Sequence, residues 1–240
     1  MASPNHGERH KPIDMLILHY TGMATGQAAL ARLCDPSAEV SCHYLVWENG
    51  VIDQLVLESR RAWHAGKSAW AGNHDINSAS IGIEIVNIGH TEINGQTLAP
   101  PPYPPAQIAA VIALCQDITT RHAIAKRNVL AHSDIAPGRK VDPGENFPWD
   151  ELAAKCVGHL APPAPITDGA AMSKGTLGPP VMVLQHMLQN YGYGVEVNGI
   201  YDAKLEATVA AFQRHFRPAR VDGAADKSTL ETLKRLIETA

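Results

Sequence analysis

This 240-residue chain lacks several of the features that commonly announce a function. It has no basic excess. Twenty lysines and arginines stand against 24 aspartates and glutamates, a formal net charge of −4, whereas nucleic-acid binding calls for a basic field. No apolar run approaches the roughly 18 residues that mark a membrane span. The opening "MASPNHGERHKPIDM" has no apolar core of the secretory kind and reads as a polar tail leading into the first strand. The sequence as given therefore predicts a cytoplasmic protein, with the periplasm or cell envelope as the alternative if a signal has been removed. The four cysteines, Cys34, Cys42, Cys115 and Cys156, form no CxxC pair and read as buried free thiols. In an exported protein Cys34 and Cys42 could pair, which spacing alone does not decide. There is no HExxH metal signature and no long internal repeat.

What is present describes an ordinary globular protein, 45% apolar and 18% charged. Composition shifts sharply at "LAPPAPITDGAAMSKG", where three prolines among small residues predict a semi-extended linker. The expected division is a first domain over residues 1–160, a linker over 161–174 and a second domain over 175–240.

In the first domain "MLILHY" reads as a buried strand and "GQAALARLCD" as a short helix. "SCHYLVWENGVIDQLV" reads as a hairpin turning at Asn49-Gly50. "SIGIEIVN" alternates with period two, which puts Glu84 on the face opposite Ile81, Ile83 and Ile85. The proline-rich "GHTEINGQTLAPPPYPP" predicts a long irregular loop whose last proline can start a helix. That helix carries Ile108, Val111, Ile112, Cys115 and Ile118 at helical spacing. "NVLAH" is a second short buried strand and "PWDELAAKCVGHL" a closing helix. The fold class is thus α/β (α+β), a central mixed β-sheet flanked by helices. The second domain shows no strands. Leu184 and Leu188, then Leu205, Val209, Phe212 and Phe216, then Leu230, Leu233 and Ile237 mark a small three-helix bundle.

Chemistry-bearing residues concentrate where strands end. His19 closes the first strand and His132 the last, and Asp142 follows ten residues later, beyond a loop stiffened by Pro137 and Gly138. Two imidazoles and a carboxylate make a three-ligand zinc set with a fourth position for water, whose pKa such a metal lowers to about 7. Each histidine also reads as an ordinary hydrogen-bonded residue near a strand end, and their wide separation carries no local ligand signature. Glu84 is costly to bury without a partner. It reads either as a solvated side chain or as a general base beside a metal site. Lys140 is either a solvated loop lysine or a cation for an oxyanion.

"LILHYTG", "VSCHYLVWENG", "RAWHAGKSAW", "SIGIEIVN" and "HSDIAPGRKVDPG" occur in that order. Together they resemble the zinc-dependent N-acetylmuramoyl-L-alanine amidases of the AmpD/AmiD type, relatives of phage amidases and peptidoglycan recognition proteins. The resemblance covers roughly residues 10–158. It implies one Zn2+ per chain held by His19, His132 and Asp142, with Glu84 as general base and Lys140 as oxyanion stabiliser. Phage-type members carry a cysteine as third ligand, so Asp142 points to the AmpD/AmiD branch. Trp63 and His64 of "AWHAG", with Tyr44 and Asn87, are the implied substrate-binding candidates. "VLQHMLQNYGY", "VNGIYD", "TVAAFQRHF" and "VDGAADKSTLETL" resemble an appended peptidoglycan-binding three-helix domain. The expected activity is cleavage of the amide between (anhydro-)N-acetylmuramic acid and L-alanine, in cell-wall turnover or recycling. The expected partners are peptidoglycan or muropeptide fragments, on a monomeric chain. The competing readings are a non-catalytic peptidoglycan-recognition protein and a zinc peptidase of the stem peptide.

Overall fold

The computed structural model describes residues 1–240. The chain begins with β1 (His6–Glu8) and β2 (Met15–Tyr20), then α1 (Gly26–Leu33), β3 (Tyr44–Val46), β4 (Ile52–Gln54) and β5 (Arg60–Ala62). It continues through α2 (Ile76–Ala79), β6 (Ser80–Ile85), β7 (Thr91–Ile93), β8 (Gln96–Leu98) and α3 (Pro105–His122). β9 (Val129–Ala131), α4 (His132–Ile135) and α5 (Trp149–Ala154) complete the first unit. Three helices, α6 (Pro179–Tyr191), α7 (Ala203–Phe216) and α8 (Lys227–Thr239), make the second.

The central sheet has the order β4-β3-β6-β2-β9. β3, β6, β2 and β9 run parallel, and only the edge strand β4 is antiparallel, closing the hairpin with β3. Parallel strands need both faces covered, and the period-two pattern supplies both. Leu16, Leu18, Ile81, Ile83 and Ile85 pack against α3 and α5 through Ile108, Val111, Cys115, Ile118 and Leu152. Met15 and Ile17 face the other way, into a core completed by Leu184, Leu188, Val209 and Phe212 of the helical unit. The two units therefore share one apolar core.

Trp70 is the largest fully buried side chain. It leaves the first unit and stands edge-on to Tyr191 and Tyr193, at ring-centroid distances of 6.1 and 5.0 Å. An aromatic of this size contributes about 4–6 kcal/mol by area burial alone.

Two expectations need correction, and the linker gains a detail. The N-terminal segment is not a free tail: β1 pairs with β5, and Ser3 and Asn5 are buried. Their side chains donate to Leu33 O, Asp35 O and Val40 O, which gives these polar residues partners inside. The proline-rich loop contains a hairpin, β7–β8, because its prolines all follow Leu98 and Asn94-Gly95 supplies the positive φ of a tight turn. The linker is extended but docked. Ala161 and Ala164 are buried, and Ala164 exchanges hydrogen bonds with Thr232 and Ser228 of α8.

The helical unit holds a duplicated device. Gln185 on α6 accepts from Asn198 N and Gly199 N, and Gln213 on α7 accepts from Asp222 N and Gly223 N. Each glutamine braces the turn that leads to the next helix. Asp202 then caps α7 and Asp226 caps α8 through backbone N–H groups three residues on.

Candidate metal centre

The carboxyl ends of parallel strands form one edge of a sheet, and residues in the same register row share one face. Here that edge assembles residues distant in sequence. His19 on β2 is in register with Glu84 on β6, and Leu18 is in register with Ala131 on β9. His132, the residue after Ala131, therefore reaches the row of His19. Asp142 returns from the loop beyond α4, where its carbonyl accepts from Ser133 N.

Three donor atoms converge. His19 Nδ1 and His132 Nδ1 lie 2.9 Å apart, and Asp142 Oδ2 lies 3.1 and 3.0 Å from them. The three residues are buried, at 1%, 2% and 5% exposure. The donor set fits zinc. Arms of about 2.0–2.1 Å in a tetrahedron put the ligand atoms about 3.3 Å apart, near this triangle's edges. Three lone-pair atoms facing one another at these distances also have too few protons among them to satisfy every contact by hydrogen bonding.

The outer ring nitrogens fix which atoms face inward. His132 Nε2 lies 3.2 Å from Ala65 O, to which it donates. His19 Nε2 donates to His64 Nδ1 at 3.0 Å, and His64 Nε2 lies 3.1 Å from Ser80 Oγ, whose hydroxyl donates to Ile76 O. This chain leaves both inward Nδ1 atoms as lone pairs, the form a metal ligand needs. Burial and the neighbouring His132 push His19 down to about 4, and burial beside His19 keeps His64 well below its ordinary range.

Gly82 explains how His64 fits. A Cβ there would stand 2.4 Å from His64 Cγ, so the imidazole lies flat against bare β6 backbone.

Glu84 shares the face of His19. Its Oε2 is enclosed without any hydrogen-bond partner. Burial, and then the charge of Asp142, push its pKa well above the carboxylate range. Lys140, Glu84, His64, His132 and Asp142 all line one cavity of about 370 Å³. Tyr20, Arg32 and Arg139 line it too, and sequence reading passed over them. Adjacency to His19 and to Lys140 was the available signal for two of these; Arg32, a lone cation on α1, gave none.

Tyr44, Trp63 and Asn87 stand elsewhere. The Tyr44 hydroxyl donates to Glu58 on the far side of the sheet, in an ion cluster with Arg121 and His122. Trp63 lies behind β5, its indole facing Gly7 of β1. Asn87 closes a turn, accepting from Gly89 N and donating to Pro101 O. Of the four residues singled out for substrate binding, His64 alone lines the cavity. His43, which sequence left ambiguous, accepts from Gly82 N through Nδ1, and its Nε2 meets Arg9 and Arg60 O. All four cysteines are unpaired, two buried, Cys34 half-buried and Cys156 exposed. No helix is long and apolar enough to cross a membrane.

Three donors that could hold a metal on the carboxyl edge of a mixed sheet, with an unpartnered glutamate oxygen beside them, fit the class of metal-dependent hydrolases. The chain belongs to the N-acetylmuramoyl-L-alanine amidase family, whose pattern matches residues 9–145, and residues 178–233 match a peptidoglycan-binding domain family. Enzymes of this amidase family are zinc-dependent in general. The chain is 40% identical to the N-acetylmuramoyl-L-alanine amidase AmiD of Escherichia coli over 243 residues, covering 94% of this chain and 83% of AmiD. The solved E. coli AmiD complex with anhydro-N-acetylmuramic acid-L-Ala-D-γ-Glu-L-Lys superposes with a TM-score of 0.80 at 38% identity, covering 100% of this chain and 93% of that one. AmpDh3 of Pseudomonas aeruginosa, in complex with an anhydromuramic pentapeptide, gives 0.82 at 34% identity, covering 100% and 95%.

Proposed function

We propose that this chain hydrolyses the amide joining the lactyl group of N-acetylmuramic acid, or its 1,6-anhydro form, to L-alanine of the peptidoglycan stem peptide. The observation that carries this reading is the His19–His132–Asp142 triangle with the orphan oxygen of Glu84 on the same strand edge. The anhydromuramyl peptides held by two relatives of similar fold support the substrate class.

His19, His132 and Asp142 would hold one zinc ion. When bound, zinc supplies Lewis acidity, which acidifies a water and polarises the scissile carbonyl. Glu84 takes the proton of the attacking water and passes it to the leaving amine of L-alanine, a role its raised pKa and lack of a competing partner favour. Lys140 offers a cation to the oxygen that gains charge on the scissile carbonyl. His64 holds His19 in the tautomer that faces inward.

The division into a catalytic unit (1–160), a linker (161–174) and a helical unit (175–240) is kept as part of this proposal, with the helical unit contacting polymeric or fragmented wall material. The unpaired thiols, Cys156 among them on the surface, favour a reducing compartment and so the cytoplasm. Fractionation of the native protein tests that location.

The activity is tested by mass spectrometry of an anhydromuropeptide after digestion. An intact stem peptide beginning at L-alanine plus the free sugar is expected. Fragments cut within the stem would make the chain a peptidase, and unchanged substrate with zinc-loaded protein would make it a recognition protein.

A further inference from the structure

α4, the segment that presents His132, is a single turn, too short to hold itself together. Its third residue, Asp134, is fully buried, and a buried carboxylate stays only where donors surround it. Asp134 has three. Oδ2 accepts from Ala131 N at 2.9 Å, which ties the carboxylate to the backbone immediately before His132. The other two donors come from the helical unit. The Tyr193 hydroxyl donates to Oδ1 at 2.7 Å, and His215 Nδ1 donates to Oδ2 at 2.7 Å. Both side chains are themselves fixed. Tyr193 stands edge-on to Trp70, and the His215 ring is stacked 3.7 Å from Trp149 and 3.8 Å from Phe216.

We propose that Asp134 is a positioning residue for His132, and that Tyr193 and His215 complete the metal site from the second unit by clamping it. The helical unit is then part of the scaffold that aims one zinc ligand, whatever else it binds. The inference rests on reading His132 as a zinc ligand. Without the two donors from the helical unit, the carboxylate keeps one hydrogen bond and must reorganise toward water. The turn between Ala131 and Ile135 moves with it, and the His132 ring leaves the line set by Ala65 O and the Nδ1 triangle.

The test uses the full chain and zinc affinity measured by competition with a chromophoric chelator, alongside melting of the zinc-free protein. Tyr193→Phe and His215→Phe keep an aromatic ring and remove a donor. His215→Asn keeps a donor near the Nδ1 position and removes the ring. The two Phe variants are expected to bind zinc about tenfold more weakly, the low end of what losing a ligand's direct outer-shell partner costs. His215→Asn should stay within about threefold of wild type, whatever it costs in melting temperature. Wild-type zinc affinity in both Phe variants overturns the proposal, as does affinity that follows the ring instead of the donor. Wild-type protein that binds no zinc would overturn the metal reading itself, a result distinct from either.

Discussion

Replacing Glu84 with glutamine should make the protein a poorer enzyme and a more stable one. Glu84 Oε2 has no partner to lose, so the exchange breaks no hydrogen bond at that atom. Its raised pKa means that folding disfavours the charged form. A carboxyl raised on folding gives full stability below its unfolded pKa, and that contribution is lost as pH rises through the folded value. At neutral pH the wild-type zinc-free protein therefore carries a penalty that glutamine removes. Each pH unit by which folding raises that pKa costs about 1.4 kcal/mol at neutral pH, which for a chain of this length is about 3–6 °C in melting temperature. Loss of the general base lowers turnover by about 10²–10⁴-fold, or about 3–5.5 kcal/mol of barrier. Calorimetry on chelator-treated protein reads the first quantity, and chromatographic release of stem peptide by the zinc-loaded enzyme reads the second. Turnover within tenfold of wild type, or a lower melting temperature, refutes the assignment of Glu84 as an unpartnered base.

Gly82→Ala places a Cβ against the His64 ring, so His64 must move and His19 loses its outer hydrogen bond. Zinc affinity should fall about tenfold, read by chelator competition. Glu58 is raised by burial, but hydrogen bonds from Arg121, His122 and Tyr44 outweigh this and bring it to about 2. A carboxylate lowered on folding stabilises above its unfolded pKa, and that stability is lost as pH falls. Wild type should lose it between pH about 4.5 and about 2. Glu58→Gln should flatten that part of the pH–stability curve and lower stability at pH 7 by about 1–3 kcal/mol, measured by urea denaturation.

Much of this was legible before any coordinates. Period-two alternation in "SIGIEIVN" put Glu84 opposite the isoleucines, and that is the face on which His19 stands. Asn49-Gly50 marked the β3–β4 hairpin, and Pro105 began α3. The aspartates of "VNGIYD" and "VDGAAD" cap their helices as local rules require. The missed features share a cause: each depends on partners remote in sequence. The N-terminal segment is ordered by β5, which no local pattern of polar residues announces. Tyr44 looked like a cleft residue beside conspicuous histidines, yet its hydroxyl donates to Glu58 and accepts from Gln54. The matched glutamines Gln185 and Gln213 went unread as a duplication because their spacings to the turns they brace differ, 13 and 14 residues in one case and 9 and 10 in the other. Asp134 drew no reading from the sequence, because the donors that close on it, Tyr193 and His215, come from the other unit.

The central claim is that three atoms from the sheet edge and one loop hold a metal. Elemental analysis of purified full-length protein, wild type beside Asp142→Ala, tests it most directly. The account predicts about one zinc ion per wild-type chain and a small fraction of that in the variant, with the variant still folded by circular dichroism. Equal zinc in both proteins, or none in wild type prepared without chelator, would contradict it.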